Sequence, residues 1–173
     1  MSNIEHERSI KRITDFFKYD VGMVYDYNEE LRRLADSLPK EPFSPKHLKE
    51  LRTFADDSYT FMGIVVIFAL AGHKEILPYA IAQHEQETLC DLKLVYAAAI
   101  ALLGEESGYQ FIESFFKRFM NKEQGLEKFD FEVFVHIFEN ILTNERGQEM
   151  ITRFRDEADY HVVWIDSNTE PKD

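Results

Sequence analysis

The sequence predicts an all-α fold, and three observations lead to this prediction. Apolar residues recur at spacings of three and four along almost the whole 173-residue chain, which is the period of an amphipathic helix. Only seven glycines and five prolines interrupt this pattern. Residues that start and stop helices fall between the apolar segments. The length suits one domain, which we place at residues 1–165, with a flexible acidic tail at 166–173.

The first half of the chain contains five predicted helices. Their bounds are Ile4 to Tyr19, Val21 to Leu38, Pro45 to Ala55, a segment from Asp57 or Ser58 up to Gly72, and Lys74 to Gln83. Gly22 marks a bend between the first two. Ser44 followed by Pro45 is a typical helix start, a hydroxyl cap before a proline. The fourth helix is apolar on nearly every side, which predicts the central buried helix.

The second half contains four more. A capping box at Thr88 and Asp91 starts the sixth helix, which ends at Leu103 before Gly104. The other bounds are Ser107 to Asn121, Phe131 to Asn144 with an Asp130 cap, and Glu145 to Ala158, with a loop over residues 121–127. The β-branched and aromatic run Tyr160–Ile165 indicates a short strand or an extended segment.

The charge of the chain is acidic and unevenly spread. The net charge is −12, with 11 basic and 14 acidic residues in residues 1–86 but 9 and 18 in residues 87–173. Such a surface repels phosphate backbones and anionic membranes, so we expect no nucleic-acid or membrane partner. It attracts a basic protein partner. Acidity that only maintains solubility remains an alternative.

The chain lacks signals of export or membrane insertion. Charged residues run through the first twenty positions, and no apolar run reaches about 18 residues. We therefore expect a cytoplasmic protein. Cys90 is the one cysteine, which excludes an internal disulfide, and its apolar neighbours favour a small buried thiol.

No catalytic motif is complete. His84-Glu85 begins a zinc-hydrolase helix motif, but Thr88 stands where the second histidine is required. Glycine-rich phosphate loops and the nucleophile elbow are also absent. We therefore expect no cofactor and no metal, and a binding role is favoured over catalysis. A metal-dependent helical hydrolase with a His/carboxylate pocket remains an alternative.

Two internal matches suggest a repeated unit. Ala69–Gly72 aligns with Ala101–Gly104 at an offset of 32 residues, and Gly108–Ile112 aligns with Gly147–Ile151 at an offset of 39. Residues 91–104 also resemble the second helix of a HEAT repeat: an aspartate cap, small alanines, then Leu and Gly. Val95 departs from the basic residue usual there. The resemblance implies antiparallel helix pairs stacked as a short HEAT-like solenoid, a protein-binding scaffold. An irregular helical bundle is the alternative.

These features together predict a non-catalytic protein that binds a basic partner through its acidic second half. Small acidic proteins of this kind resemble bacterial immunity proteins that neutralise a toxin. The predicted contact residues are Glu105, Glu106, Glu145, Glu149, Asp156, Glu157, Asp159 and Trp164. The two repeat turns place Glu105, Glu106 and Glu145 on one face. Exposed aromatics, drawn from Phe116, Phe129 and Trp164, could instead join a structural or regulatory homodimer.

Overall fold

The computed structural model describes residues 2–19, 28–121, 134 and 136–157, and it confirms the all-α prediction. The helices are α1 (Ser2–Tyr19), α2 (Asn28–Asp36), α3 (Pro45–Phe54), α4 (Ser58–Leu70), α5 (Leu77–Gln86), α6 (Cys90–Leu102), α7 (Glu106–Met120) and α8 (Glu145–Glu157). A short 3-10 helix, Lys74–Ile76, precedes α5, and residues 136–140 form a helical segment before α8. No strand occurs in these described ranges.

Local capping chemistry sets several helix ends where the sequence predicts them. The Ser44 hydroxyl accepts a hydrogen bond from the His47 amide at the start of α3, and Asp57 accepts one from the Thr60 amide at the start of α4. Gly72 and Gly104 end α4 and α6 with positive φ angles of 79° and 95°. Only glycine adopts this left-handed backbone without a steric cost.

The turns at the two glycines have the same hydrogen bonds. The His73 amide donates to the Phe68 carbonyl at 2.9 Å, and the Glu105 amide donates to the Ile100 carbonyl at 3.2 Å. Both bonds span five residues, as in the Schellman motif. The two matched sequence segments therefore make the same helix-ending turn.

Helices α4 and α6 form the centre of the core. In α4 every residue from Phe61 to Ala69 is buried, as the sequence predicts, and in α6 the buried run extends from Leu94 to Ile100 and on to Ala101. Helix α6 packs against α4, α5 and α7. Its alanines let these neighbours approach closely, because a methyl group is small and takes up little space between two helix backbones.

The helices α4 and α6 run parallel. Burial, followed by the negative charge of Asp91 at the start of α6, raises the pKa of Tyr59 at the start of α4, so these two side chains lie near each other. At the other end, the side-chain nitrogen of Lys74, just beyond α4, lies near Gly104, just beyond α6. Helix α5 returns the chain from the end of α4 to the start of α6, so it runs antiparallel to α6, against which it packs.

Three predicted boundaries are wrong. No Thr88 capping box starts α6: Leu89 is the N-cap residue, without a side-chain cap, and the Glu87 carboxylate accepts the amides of Thr88 and Leu89 instead. The helix predicted to run to Asn144 ends at residue 140, because Asn144 caps α8 through the Gly147 amide. The fifth helix begins with a 3-10 turn and continues to Gln86.

Smaller differences and several untested predictions remain. Helix α2 ends at Asp36 rather than Leu38. Cys90 is partly exposed rather than buried, because it lies in the first turn of α6. Several predicted features lie outside the described residues: the helix start at Val21, the Gly22 bend, the 122–127 part of the loop, the Asp130 cap, the 160–165 segment and the 166–173 tail.

None of the described helices has both the length and the hydropathy that crossing a membrane requires.

The aromatic side chains pack into the core between α7 and α8. Phe116 is buried, and its ring stacks on Phe154 with 4.0 Å between centroids. Phe134 and Phe138 pack edge to face beside this pair. Of the three aromatic residues named as candidates for exposure, Phe116 is therefore buried, because α8 covers the side of α7 on which it lies. Phe129 lies outside the described residues.

Candidate partner-binding surface

The acidic residues predicted to contact a partner are exposed at two adjoining places. Glu105 is the N-cap residue of α7 and Glu106 is its first residue. Four others follow along α8, namely Glu145, Glu149, Asp156 and Glu157, and all six are exposed. Asp159 and Trp164 lie outside the described residues.

Three of the four acids on α8 share one side of the helix. Successive residues turn by about 100° around an α-helix, so Glu145, Glu149 and Asp156 fall within about 40° of one another. They line a shallow groove of about 550 Å³ together with Gln148, Thr152 and Arg153. Glu157 points about 100° away from Asp156 and does not border the groove. We call Glu145, Glu149 and Asp156 the α8 acidic stripe.

Among the described side chains, no cation pairs with this stripe. Glu145, Glu149 and Asp156 form no ion pair and accept no side-chain hydrogen bond there. Exposed carboxylates that form no ion pair with the described side chains can attract a cation that approaches from outside.

Two ion pairs fix α8 beside α7. Arg146 donates to the Glu106 carboxylate at 2.7 Å, and Arg153 lies 3.3 Å from the Glu113 carboxylate. Both pairs join residues that are 40 positions apart in the sequence. A constant separation at two points along the helices means that α7 and α8 run parallel. The predicted proximity of Glu106 and Glu145 follows from this arrangement.

Arg146 contacts two groups, the Glu106 carboxylate and the Tyr109 ring. Its guanidinium carbon lies 3.8 Å from the centre of the Tyr109 ring, a cation–π contact. The Tyr109 hydroxyl accepts a hydrogen bond from Asn144, whose side-chain oxygen caps α8. The hydrogen bond from Arg146 lowers the pKa of Glu106, and Glu106 in turn raises the pKa of Arg146. Glu106 is therefore occupied within the fold, unlike the α8 acidic stripe.

The two arginines are residues that the sequence pattern did not indicate. Arg146 and Arg153 introduce positive charge next to Glu106 and Glu113, so this face is less uniformly acidic than the composition predicts. The sequence contains a signal for them: Glu106 and Arg146 are 40 residues apart, as are Glu113 and Arg153, and this offset is close to the offset of 39 between the two matched glycine segments. Whether these residues pair depends on α7 and α8 lying side by side.

Three of the described histidines pack together in the core. His6, His47 and His73 are buried around the Phe43 ring. His6 lies 2.9 Å from the Glu41 carbonyl, and His73 lies 2.9 Å from the Glu75 carboxylate. Across the described ranges, no group of three or more His, Cys, Asp or Glu residues is arranged to hold a metal ion. No observation there favours the metal-dependent hydrolase.

A further cleft of about 670 Å³ lies along α1. It is lined by Arg8, Lys11 and Arg12 and also by Glu5 and Asp15, so its charges are mixed. Arg12 spans it by donating to Ser9 and to the Ser37 carbonyl, and Lys11 pairs with Asp15. The bond to Ser37 joins α1 to the chain after α2, so Lys11 and Arg12 both have partners within the fold.

The acidic stripe of α8 is thus the exposed charged surface with the least internal compensation among the predicted contact residues. Exposed carboxylates in this arrangement have the charge to attract cations. No protein-family model, curated protein or solved structure matches this chain. The resemblance to a HEAT repeat therefore stays a prediction.

Proposed function

We propose that this protein is a non-catalytic binding protein that captures a basic protein partner along the α8 acidic stripe. The observation that carries the proposal is the alignment of Glu145, Glu149 and Asp156 along one groove, without an ion pair among the described residues. A net charge of −12 adds long-range attraction for a positively charged protein.

The spacing of the stripe favours an extended contact with its partner. Residues rise by about 1.5 Å each along a helix, so Glu145 and Asp156 are about 16 Å apart. Lysines or arginines separated by one to three helical turns would match these positions. Because α8 is tied to α7 by two ion pairs and by the Phe116–Phe154 stack, the carboxylates present a fixed pattern. Less ordering is then required on binding.

The partner class that we propose is a basic toxin, by analogy with the immunity proteins that the composition resembles. The first step is capture from a native lysate at about 50 mM salt, followed by elution with rising salt. Low salt is used because the Debye screening length increases as the salt concentration falls, so that charges attract over a longer distance. A basic protein released by salt supports the proposal. If only acidic or neutral proteins are captured, the proposal fails.

The stripe itself is tested by charge reversal. The variant Glu145→Lys/Glu149→Lys/Asp156→Lys changes the net charge by six units, and so does the matched control Glu29→Lys/Asp36→Lys/Glu50→Lys, whose three positions are also exposed. We expect the stripe variant to reduce the association rate of the captured partner at least about tenfold, a typical effect of removing electrostatic steering. Equal losses in both variants would show that overall charge, and not this stripe, attracts the partner.

A further inference from the structure

The groove beside the α8 acidic stripe also holds a cation, the guanidinium of Arg153. Arg153 lines this groove together with the three carboxylates of the stripe, and 47% of its side chain is exposed. Arg146, which also pairs with α7, is not among the described residues that line it. A partner that occupies the groove therefore meets a positive charge among the negative ones.

The position of Arg153 in the stripe follows from the period of the helix. Along the axis of α8, Arg153 lies about 6 Å beyond Glu149 and about 4–5 Å before Asp156. Around the axis it is turned by about 40° from Glu149, toward the side on which α8 pairs with α7. From Glu145 to Asp156, the groove therefore presents its charges in the order negative, negative, positive, negative.

The charge of Arg153 is only partly compensated within the fold. A guanidinium nitrogen lies 3.3 Å from the Glu113 carboxylate, and the guanidinium carbon lies 5.2 Å from the centre of the Phe154 ring. The same carboxylate oxygen of Glu113 lies 3.6 Å from the ammonium nitrogen of Lys117. Since this carboxylate is shared by two cations, positive charge remains at this point of the surface. A guanidinium also has several N–H donors, so contact with Glu113 leaves donors for a partner.

A uniformly basic partner is penalised at Arg153. Like charges that face each other across an interface cost free energy, and this cost is a common source of specificity. A carboxylate in the same place gains attraction instead, and it can accept two parallel hydrogen bonds from a guanidinium. A segment with a carboxylate between its cations therefore matches the groove better than a segment with cations alone.

We propose that Arg153 determines which basic partners the α8 acidic stripe accepts. The favoured segment carries lysine or arginine opposite the three carboxylates of the stripe, and glutamate or aspartate opposite Arg153. This inference rests on the proposed function, because it concerns a partner that the stripe binds. It adds an acidic residue to the description of that partner and assigns the residue that recognises it.

The test uses two synthetic helical peptides that differ at one residue. Both carry lysines at the spacing of Glu145, Glu149 and Asp156, and the position opposite Arg153 is glutamate in one and lysine in the other. Fluorescence anisotropy at about 50 mM salt, where screening is weak, measures the affinity of each peptide for the unmodified chain and its variants. Arg153→Gln removes the positive charge. Lys117→Gln is the matched control, because Lys117 pairs with the same carboxylate but is not among the residues that line the groove.

Arg153→Gln should change the two affinities in opposite directions. Binding of the glutamate-containing peptide should weaken about threefold, a typical effect of removing an exposed ion pair, and binding of the all-lysine peptide should strengthen by a similar factor. Lys117→Gln should shift both affinities slightly in the same direction, because it alters only the overall charge. Arg153→Lys should keep the preference for the glutamate-containing peptide, because it keeps the positive charge. An arginine that only joins α8 to α7 would not produce opposite shifts.

Two results would overturn the inference, and they differ in what they imply for the stripe. If both peptides bind and Arg153→Gln shifts both affinities as Lys117→Gln does, Arg153 does not select the partner, although the stripe still binds it. If neither peptide binds the unmodified chain, or if Glu145→Lys/Glu149→Lys/Asp156→Lys binds both peptides equally well, the stripe is not the contact. The proposed function of the stripe then fails together with this inference.

Discussion

Gly108, in the first turn of α7, allows this helix to approach α6 closely. A Cβ atom added at Gly108 would lie 2.4 Å from the Ala97 carbonyl oxygen and 2.5 Å from the Ala101 amide nitrogen. Carbon atoms in favourable contact are about 3.5–4.0 Å from their neighbours, so a methyl group would be about 1 Å too close. Both contacted atoms belong to the backbone of α6. Rotation of a side chain therefore cannot relieve the overlap.

The change Gly108→Ala should lower the free energy of unfolding by about 1–2 kcal/mol. Overpacking typically costs about 1–3 kcal/mol. Replacing a glycine inside a helix by alanine returns about 0.5–1 kcal/mol of stability. A net loss of this size corresponds to a fall of about 2–8 °C in melting temperature for a chain of this length. Thermal unfolding followed by circular dichroism measures it.

The adjacent Ser107→Ala is the control, because Ser107 is exposed on the same helix. It should change the melting temperature slightly upward, since alanine favours helix more than serine does. A second variant, Ala101→Gly, removes a side chain but leaves the contacted backbone, so it should not restore the stability of Gly108→Ala. A rise in melting temperature for Gly108→Ala, or its rescue by Ala101→Gly, would refute the close-approach explanation.

Two further predictions concern the core and its response to pH. Phe154→Ala should lower the free energy of unfolding in urea by about 3–5 kcal/mol, because Phe154 is buried and stacks on Phe116; a loss below about 1 kcal/mol would contradict the α7–α8 packing. Burial, followed by the charge of Lys93, lowers the pKa of His84 below its ordinary value of 6.5. The unfolded chain then binds the proton more readily, so the contribution of His84 to stability is present above about pH 6.5 and is lost as the pH falls through the folded pKa. The melting temperature of His84→Leu should therefore fall less between pH 7 and pH 5 than that of the unmodified chain, and equal falls would reject the effect.

Local chemistry could be predicted from the sequence because it depends on a few neighbouring residues. A hydroxyl or carboxylate acceptor at Ser44 or Asp57 reaches an amide three residues later, and Gly72 and Gly104 permit a backbone that other residues resist. The helical period likewise identified α4 as buried, since apolar residues on all its sides leave no face for water.

Contacts between distant segments could not be predicted in the same way. The Glu106–Arg146 pair depends on how α7 and α8 lie together, and nothing in either local sequence fixes that arrangement. Leu89 is the N-cap residue of α6 although leucine is disfavoured at that position. This is possible because the Glu87 carboxylate accepts hydrogen bonds from the amides of Thr88 and Leu89. The burial of Phe116 likewise depends on Phe154, which lies 38 residues further along the chain on another helix. The six described acidic residues of the predicted contact surface are exposed, and only the structure separates Glu106, which pairs with Arg146, from the α8 acidic stripe.

The burial of α4 from Phe61 to Ala69 and of α6 from Leu94 to Ala101 has a consequence for how the molecule exchanges its amide hydrogens. Helices without a solvent-facing side release their hydrogens to solvent only when the whole domain opens, so these amides should report global stability. The amides at the α8 stripe and at the start of α6 lie on the rim and should exchange through small local openings. Protection that appears at the rim upon addition of a partner, with no change in the central helices, would therefore distinguish docking on a rigid body from a general tightening of the fold.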